Sequence, residues 1–370
     1  MSSFSTLLPS LVASLKSQGI RVPTEVQAST LGPQLAGRSV IAVAETGSGK
    51  TLAYVLPLLH RLKTLENDGD AVREGGRPRG LILVPGRELG EQVSRVLKGL
   101  THLTRLRVRV ALGGSPLRVA RRNVAGAHEV LVATPGRLVQ LLDAGELRLS
   151  DLRTLVLDEA DQMLDPGFQP VARRIVDTAP SQLQVAMFSA TLSHALESVG
   201  EQLFPKPPLK VRTRGSSKLV PTLKVDNRPV GEKTRLDGLG RVLAEDLSLS
   251  TLLFCNSRQQ CEAIAKWLDE HGLPFVNYRG EMNRSERRSN LRRFREGEVK
   301  LMLTTDLGGR GLDIEHVERV INVHMPKDLT NYLHRAGRTA RAGRSGVVVN
   351  LVTERDQRLL AKLEKRGLRN

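Results

Sequence analysis

Ala44-Glu45-Thr46-Gly47-Ser48-Gly49-Lys50-Thr51 and Asp158-Glu159-Ala160-Asp161 are the two strings whose residue types and spacing could handle phosphates. The first follows an apolar run, Val40 to Val43, and precedes a helical pattern, so its glycines would wrap backbone amides around phosphates at a helix start. Thr46, Gly47, Ser48 and Gly49 would line that cradle, Lys50 would reach the terminal phosphates, and Thr51 would hold magnesium. The second string ends another apolar run, Leu155 to Leu157, where a buried parallel strand would deliver carboxylates to the same pocket. There Asp158 would face the metal and Glu159 the attacking water. Either string alone also fits a plain turn or a solvated acidic loop, and Ala44 stands where the general P-loop pattern has glycine. Their conjunction, both at strand ends, points to a nucleoside triphosphate site.

Positioning these groups requires an α/β frame. Apolar runs at Val40 to Val43, Gly80 to Val84, Arg107 to Leu112, Glu129 to Ala133, Leu155 to Leu157 and Val185 to Phe188 alternate with amphipathic segments of helix length. A second series follows at Leu223 to Val225, Thr251 to Phe254, Phe275 to Asn277, Lys300 to Thr304, Arg319 to Val323 and Gly346 to Val352. The expectation is two mostly parallel sheets flanked by helices, with domains at 1–213 and 221–370 and a linker at 214–220. Phe204 to Pro221 reads as the end of one domain followed by an exposed connector. Glu66 to Arg79, polar and carrying both charge signs, reads as a mobile surface loop.

At 370 residues the chain exceeds what one core usually serves. A net charge of +17 and a pI near 10.5 point to a polyanionic partner, with nucleic acid the leading candidate. Two cysteines, Cys255 and Cys261, without partners at zinc spacing, argue against a disulfide framework or a structural metal and for a reducing cytoplasm. No apolar stretch approaches the ~20 residues of a membrane span. The serine-rich start, Met1 to Arg21, is expected to be a structural helix rather than a presequence.

With both motifs placed, the chain resembles the DEAD-box ATP-dependent RNA helicases of superfamily 2, in their bacterial-type core form, over nearly its whole length. The family's Q motif is matched by Gly19 to Gln27, with Phe4 in the upstream aromatic position. Gln27 then implies adenine selection, since an amide both donates and accepts. Pro85 to Leu89, Gly113-Gly114 and Thr134 to Arg137 resemble the first-domain RNA contacts, which places Arg87, Gly114, Thr134 and Arg137 on the sugar-phosphate backbone. Ser189-Ala190-Thr191 is similar to the coupling motif, and His334 is implied in the same relay. Phe254 to Arg258, Thr304 to Asp306 with Arg310 to Asp313, and Tyr332 to Arg341 match the second-domain motifs. The resemblance puts Arg258 and Thr305 on RNA, Asp306 by the nucleotide ribose, and Arg310 and Asp313 near the interdomain site. It makes Arg338 and Arg341 arginine fingers that stabilise charge on the transferring γ-phosphoryl group.

Four positions depart from the family pattern: Ile20 for an aromatic over adenine, Gly86 for a threonine, Arg284 for a glutamine, and Gly308-Gly309 for a pair of small residues. None removes a catalytic group. The resemblance implies two tandem RecA-like domains that bind ATP, Mg2+ and single-stranded RNA without sequence preference, and whose closure completes hydrolysis. It leaves open an ATP-timed RNA clamp or ribonucleoprotein assembly factor, a DNA-directed helicase, and a degenerate binding protein. The short basic tail, Asp356 to Asn370, reads as a solvated helix or a weak auxiliary RNA contact.

Overall fold

The computed structural model describes residues 4–45, 47–163, 168–191, 203–213, 222–280, 282–306, 314, 316–340 and 344–364, with backbone alone at 169 and 284. Close contacts divide the chain into two units, Met1–Ser216 and Ser217–Asn370.

In the first unit seven strands form one sheet: β1 (Val40–Val43), β2 (Gly80–Leu83), β3 (Val108–Ala111), β4 (Val130–Ala133), β5 (Thr154–Leu157), β6 (Gln184–Ser189) and β7 (Leu209–Arg212). Their order is β3-β4-β2-β5-β6-β1-β7, and every pairing is parallel. The interior strands read as unbroken apolar runs because helices cover both faces. Alternation along β1 shows this: Val40 and Ala42 join one apolar cluster while Ile41 joins the other. The first cluster packs under α1 (Pro9–Ser17), α2 (Glu25–Leu35), α3 (Lys50–Asn67) and α4 (Arg87–Thr104). The second packs under α5 (Leu117–Ala125), α6 (Pro135–Asp143), the single turn α7 (Ala160–Met163) and α8 (Gln169–Thr178).

The second unit repeats the plan with β8 (Leu223–Pro229), β9 (Thr251–Cys255), β10 (Phe275–Tyr278), β11 (Leu301–Thr305), β12 (Arg319–Asn322) and β13 (Gly346–Val352). The order is β10-β11-β9-β12-β13-β8, again all parallel. One face carries α9 (Arg235–Glu245) and α10 (Arg258–Glu270); the other carries α11 (Arg284–Arg295), α12 (Leu329–Ala336) and α13 (Gln357–Glu364). In both units parallel strands bring all carboxyl ends to one edge, and the motifs sit there. Among the described residues no helix is long and apolar enough to cross a membrane.

Two features go beyond the sequence expectations. Leu209–Arg212, at the end of the first domain and ahead of the connector expected at 214–220, is the edge strand β7 paired with β1, a strand absent from the apolar runs of that domain. Only Leu209 and Val211 pack on the core, while Lys210 and Arg212 are exposed. Four alternating residues at a sheet edge leave no apolar run to read. The linker at 214–220 lies outside the described residues.

Glu66 to Arg79, read as a mobile surface loop, is instead tied down from several directions. The Arg79 guanidinium is buried and donates to Asp70 Oδ1 at 2.5 Å, to the Asp70 carbonyl, and to Asp151 Oδ2 at 3.3 Å. Gly76 donates its N–H to the Val124 carbonyl at 2.8 Å, and Arg107 reaches the Val72 carbonyl at 2.7 Å. The composition is that of a loop, and the anchors come from residues far along the chain. Gly75 is confined by this seam, because a Cβ there would overlap the Ala125 carbonyl. Gly75→Ala is expected to destabilise the first unit by about 1–3 kcal/mol in urea denaturation. Gly99→Ala in α4, where the nearest atom is 3.6 Å away, should not destabilise it.

Candidate nucleotide and RNA site

The P-loop turns sharply enough that Gly47 and Gly49 take φ of +85° and +89°, a region costly for side-chain-bearing residues. Gly49 has a second reason to be glycine: a Cβ would lie 2.5 Å from Gln27 Nε2. Gln27 is buried, accepts from the Thr24 N–H at 2.9 Å, and donates to the Gly49 carbonyl at 3.0 Å. Both functions of its amide are thus engaged between the start of α2 and the loop that opens α3. Lys50 donates to the carbonyls of Ala44 and Glu45, each at 2.8 Å, and Ser48 Oγ donates to Glu45 at 2.7 Å. Thr46 lies outside the described residues. Phe4 is buried in the first apolar cluster and Ile20 packs half-buried against it.

Asp158 sits at the end of β5 and is buried. Tyr54, one turn beyond Lys50 on α3 and 0% exposed, donates its hydroxyl to Asp158 Oδ2 at 2.7 Å, and the Glu159 N–H donates to Oδ1 at 3.0 Å. Tyr54 stands on α3 one turn after Lys50 and Thr51, so one phenol links the helix of the first string to the second string. Burial pushes the Asp158 carboxyl up, opposed by the Tyr54 hydroxyl and the Lys50 charge. Burial and then the Asp158 charge push the Tyr54 hydroxyl well above the usual phenol range, which keeps it a donor. Glu159 has φ of +51°, a left-handed conformation costing about 1–3 kcal/mol for such a residue. Its carboxylate accepts from Gln162 Nε2 at 2.6 Å.

Asp161 carries a role that the sequence reading missed. Its Oδ2 accepts from the Thr191 N–H at 3.0 Å and the Thr191 hydroxyl at 2.8 Å, while Ser189 Oγ donates to the Thr191 carbonyl at 2.6 Å. The end of β6 is therefore tied to the turn that holds Glu159. At the ends of β2, β3 and β4, Arg87 donates to the Gly113 carbonyl at 3.3 Å and the Gly113 N–H donates to Thr134 Oγ1 at 3.0 Å. Arg137 donates to the Ser115 carbonyl at 2.5 Å, and its buried Nε has no partner among the described residues. Gly114, at φ of +73°, lies against the Arg87 side chain. Arg87, Gly114, Thr134 and Arg137 thus form one cluster.

In the second unit the organising residue is Arg335, which lies within the Tyr332 to Arg341 motif but has no role implied by the sequence. It is 1% exposed. Its Nε and Nη2 donate to the two Asp306 oxygens at 2.5 and 2.7 Å, and Nη2 also reaches Asn256 Oδ1 at 2.7 Å. Nη1 donates to Asn322 Oδ1 at 3.0 Å and to the His324 carbonyl at 2.7 Å, so all five N–H groups are used. The guanidinium lies over the Phe254 ring, 5.1 Å from its centroid. Asn322 in turn donates to Asn350 at 2.8 Å and Asn350 to Asn227 at 2.6 Å, an asparagine ladder across β12, β13 and β8. His334 and Arg338 are buried beside this centre, with Arg338 Nε on the His334 carbonyl at 3.1 Å. Arg258 pairs with Glu262 at 2.7 Å and Thr305 ends β11. Arg341, Arg310, Asp313 and Gly308-Gly309 lie outside the described residues, as does the Arg284 side chain.

Residues 24–199 match the family model described as DEAD/DEAH box helicase, and residues 235–343 match the helicase conserved C-terminal domain. The chain belongs to the DEAD-box helicase family. DEAD-box ATP-dependent RNA helicase 39 of Arabidopsis thaliana is 35% identical over 373 residues, covering 97% of this chain and 60% of that protein. ATP-dependent RNA helicase CshA of Listeria monocytogenes is 32% identical over 355 residues, covering 96% and 66%. The chain therefore spans somewhat under two thirds of the length of these curated relatives. The structure of S. cerevisiae Dbp5 bound to RNA and ADP BeF3 superimposes with a TM-score of 0.86 at 26% identity, covering 100% of this chain and 95% of that one. The two units are the tandem RecA-like domains of the family.

Tyr54→Phe keeps the ring packed on Phe188 but leaves a buried carboxylate oxygen short of a donor. It should cost the first domain about 1–3 kcal/mol by chemical denaturation. Arg335→Gln removes a buried charge from its partner and should cost the second domain about 3–5 kcal/mol by the same measurement.

Proposed function

We propose that this chain is an RNA-stimulated ATPase that couples ATP hydrolysis to local separation of RNA duplexes or to ribonucleoprotein remodelling. The observation that carries this reading is the buried Asp158, followed directly by the half-buried Glu159 and joined through Tyr54 to the helix that begins with Lys50 and Thr51. Gly47, Ser48, Gly49 and Lys50 bind the phosphates, Lys50 exchanging the Ala44 and Glu45 carbonyls for phosphate oxygens. Thr46 belongs to the same cradle. Gln27 reads adenine by exchanging its contacts with Thr24 and Gly49 for the base edge.

The Thr51 hydroxyl and the buried Asp158 carboxylate are hard oxygen donors of the kind Mg2+ takes. Among the described residues no cluster of three acids, histidines or cysteines surrounds them. Mg2+ is commonly held by one or two such protein oxygens, its remaining positions going to water and phosphate. When bound, Mg2+ neutralises charge on the phosphates. Glu159 orients the attacking water and takes its proton, and its turn is fixed by Asp158 and Gln162. Arg338 and Arg341 supply positive charge to the transferring phosphoryl group, and Asp306 stands by the ribose.

RNA is held by its backbone, through Arg87, Gly114, Thr134 and Arg137 in the first domain and Arg258 and Thr305 in the second. The orphaned Arg137 Nε supports that reading. Ser189, Thr191 and His334 transmit nucleotide state to this surface, with Asp161 linking Thr191 to the catalytic turn. Buried free thiols at Cys255 and Cys261 support a cytoplasmic setting.

Steady-state ATPase with Mg2+, measured with and without single-stranded RNA and matched DNA, tests this function. RNA should activate and DNA should not, and Glu159→Gln should lose about 10²–10⁴-fold in rate while still binding nucleotide. Equal rates in Glu159→Gln and the parent protein, or indifference to RNA, would overturn the reading.

A further inference from the structure

Helix α11 has the sequence RSERRSNLRRFR, with six arginines against one glutamate. Several of its side chains are committed inward. Phe294 is buried in the second-domain core with Leu291 packed beside it, Arg287 lies over Tyr278 at 5.2 Å from the ring centroid, and Asn290 donates to the Asn277 carbonyl at 2.9 Å. Arg293 pairs with Glu298 at 2.7 Å. Ser285, whose hydroxyl donates to Asn283 Oδ1 at 2.8 Å, and Arg288, Ser289, Arg292 and Arg295 share one outward stripe by their spacing.

All five are exposed, and they line an open groove of about 970 Å³. Countercharge is sparse at Arg288 and Arg292. Arg288 makes no ion pair among the described residues, and Arg292 meets Glu296 only at 4.0 Å with both side chains mostly in water, a contact worth little. Arginines interleaved with serine hydroxyls are the donor set that phosphodiester oxygens take, and the guanidinium fork matches two of those oxygens at once.

Position adds to chemistry. β10 runs parallel to β11 and β9, so α11 starts from the carboxyl edge where Thr305 and Arg258 also stand. From Ser285 to Arg295 the stripe extends about 15 Å away from that edge.

We propose that this outer stripe of α11, centred on Arg288, Arg292 and Arg295, is an auxiliary binding surface for the RNA backbone. It holds the part of a strand that continues beyond the core contacts. The inference rests on the RNA-binding function proposed above and extends it to a surface that the family motifs leave out. Its contribution is sequence-independent and depends on RNA length and on salt.

The test compares the full chain with R288Q/R292Q/R295Q, using fluorescence anisotropy in the presence of a non-hydrolysable ATP analogue. The probes are single-stranded RNAs of about 8 and about 24 nucleotides, bracketing a core site and its flank. Affinity of the triple variant for the longer RNA should fall roughly 10–100-fold at low salt, and its log–log salt slope should become shallower by about two. Affinity for the short RNA and the ATPase rate it elicits should stay within about twofold. Replacing the same three residues by lysine should restore most of the length-dependent binding, which a loss of folding would not allow.

Equal losses on both RNAs, or no loss on either, would overturn the proposal. So would a triple variant that keeps its RNA affinity but no longer binds a fluorescent polyglutamate peptide, because the face would then belong to an acidic protein. A parent protein that binds neither RNA would overturn the functional reading itself, a result distinct from any change confined to the variant.

Discussion

A charge removed from water is tolerated when every hydrogen-bonding position it offers is met, and Arg335 satisfies that condition with two carboxylate oxygens, two asparagines and a backbone carbonyl. Those partners come from the ends of β9, β11 and β12 and from His324, two residues past β12, so one side chain fixes the relative heights of three adjacent strands. The asparagine ladder extends the constraint outward through β13 to β8. Position in the second domain is therefore set by geometry that tolerates little slack. The surface motifs at that edge inherit its rigidity.

The first domain solves the same problem with opposite sign. Its buried charge is a carboxylate, Asp158, satisfied by a phenol from α3 and by the backbone of its own turn. A phenol held strongly protonated by its surroundings remains a donor across the working pH range, whereas a second carboxylate in its place would compete for the same proton. The Glu159 backbone is held in a left-handed conformation within this turn, and Asp161 ties the turn onward to Thr191. The strained backbone at Glu159 is thus flanked on both sides by hydrogen bonds, from its own N–H to Asp158 and from Thr191 to Asp161.

Strand positions were legible because interior parallel strands must be apolar on both faces, as GLIL in β2 and VLVA in β4 are. The glycines of the string after β1 and the acids of the string after β5 were legible because such types are unusual at strand ends. Tyr54 was not, since an aromatic residue one turn into a buried helix reads as core packing, and its partner lies 104 positions away. Asp161 and Arg335 share that difficulty. Each is defined by what it touches, at separations of 30 and 29 residues for Thr191 and Asp306, and local pattern carries no trace of such pairing. The segment from Glu66 to Arg79 failed in the other direction: its composition is that of a loop, and only Arg79, Gly76 and Val72 in place show that it is held.

The edge strand β7 has a consequence for how this protein behaves in a crowded solution. An open sheet edge offers unpaired amides and carbonyls to any passing strand, and a flat apolar edge invites stacking into aggregates. Here the edge is four residues long, follows Pro207 and Pro208, and projects Lys210 and Arg212 into solvent. Two copies meeting along β7 would bring like charges into register and bury them together. The same basic residues that hide the strand from a sequence reader thereby guard it against self-association.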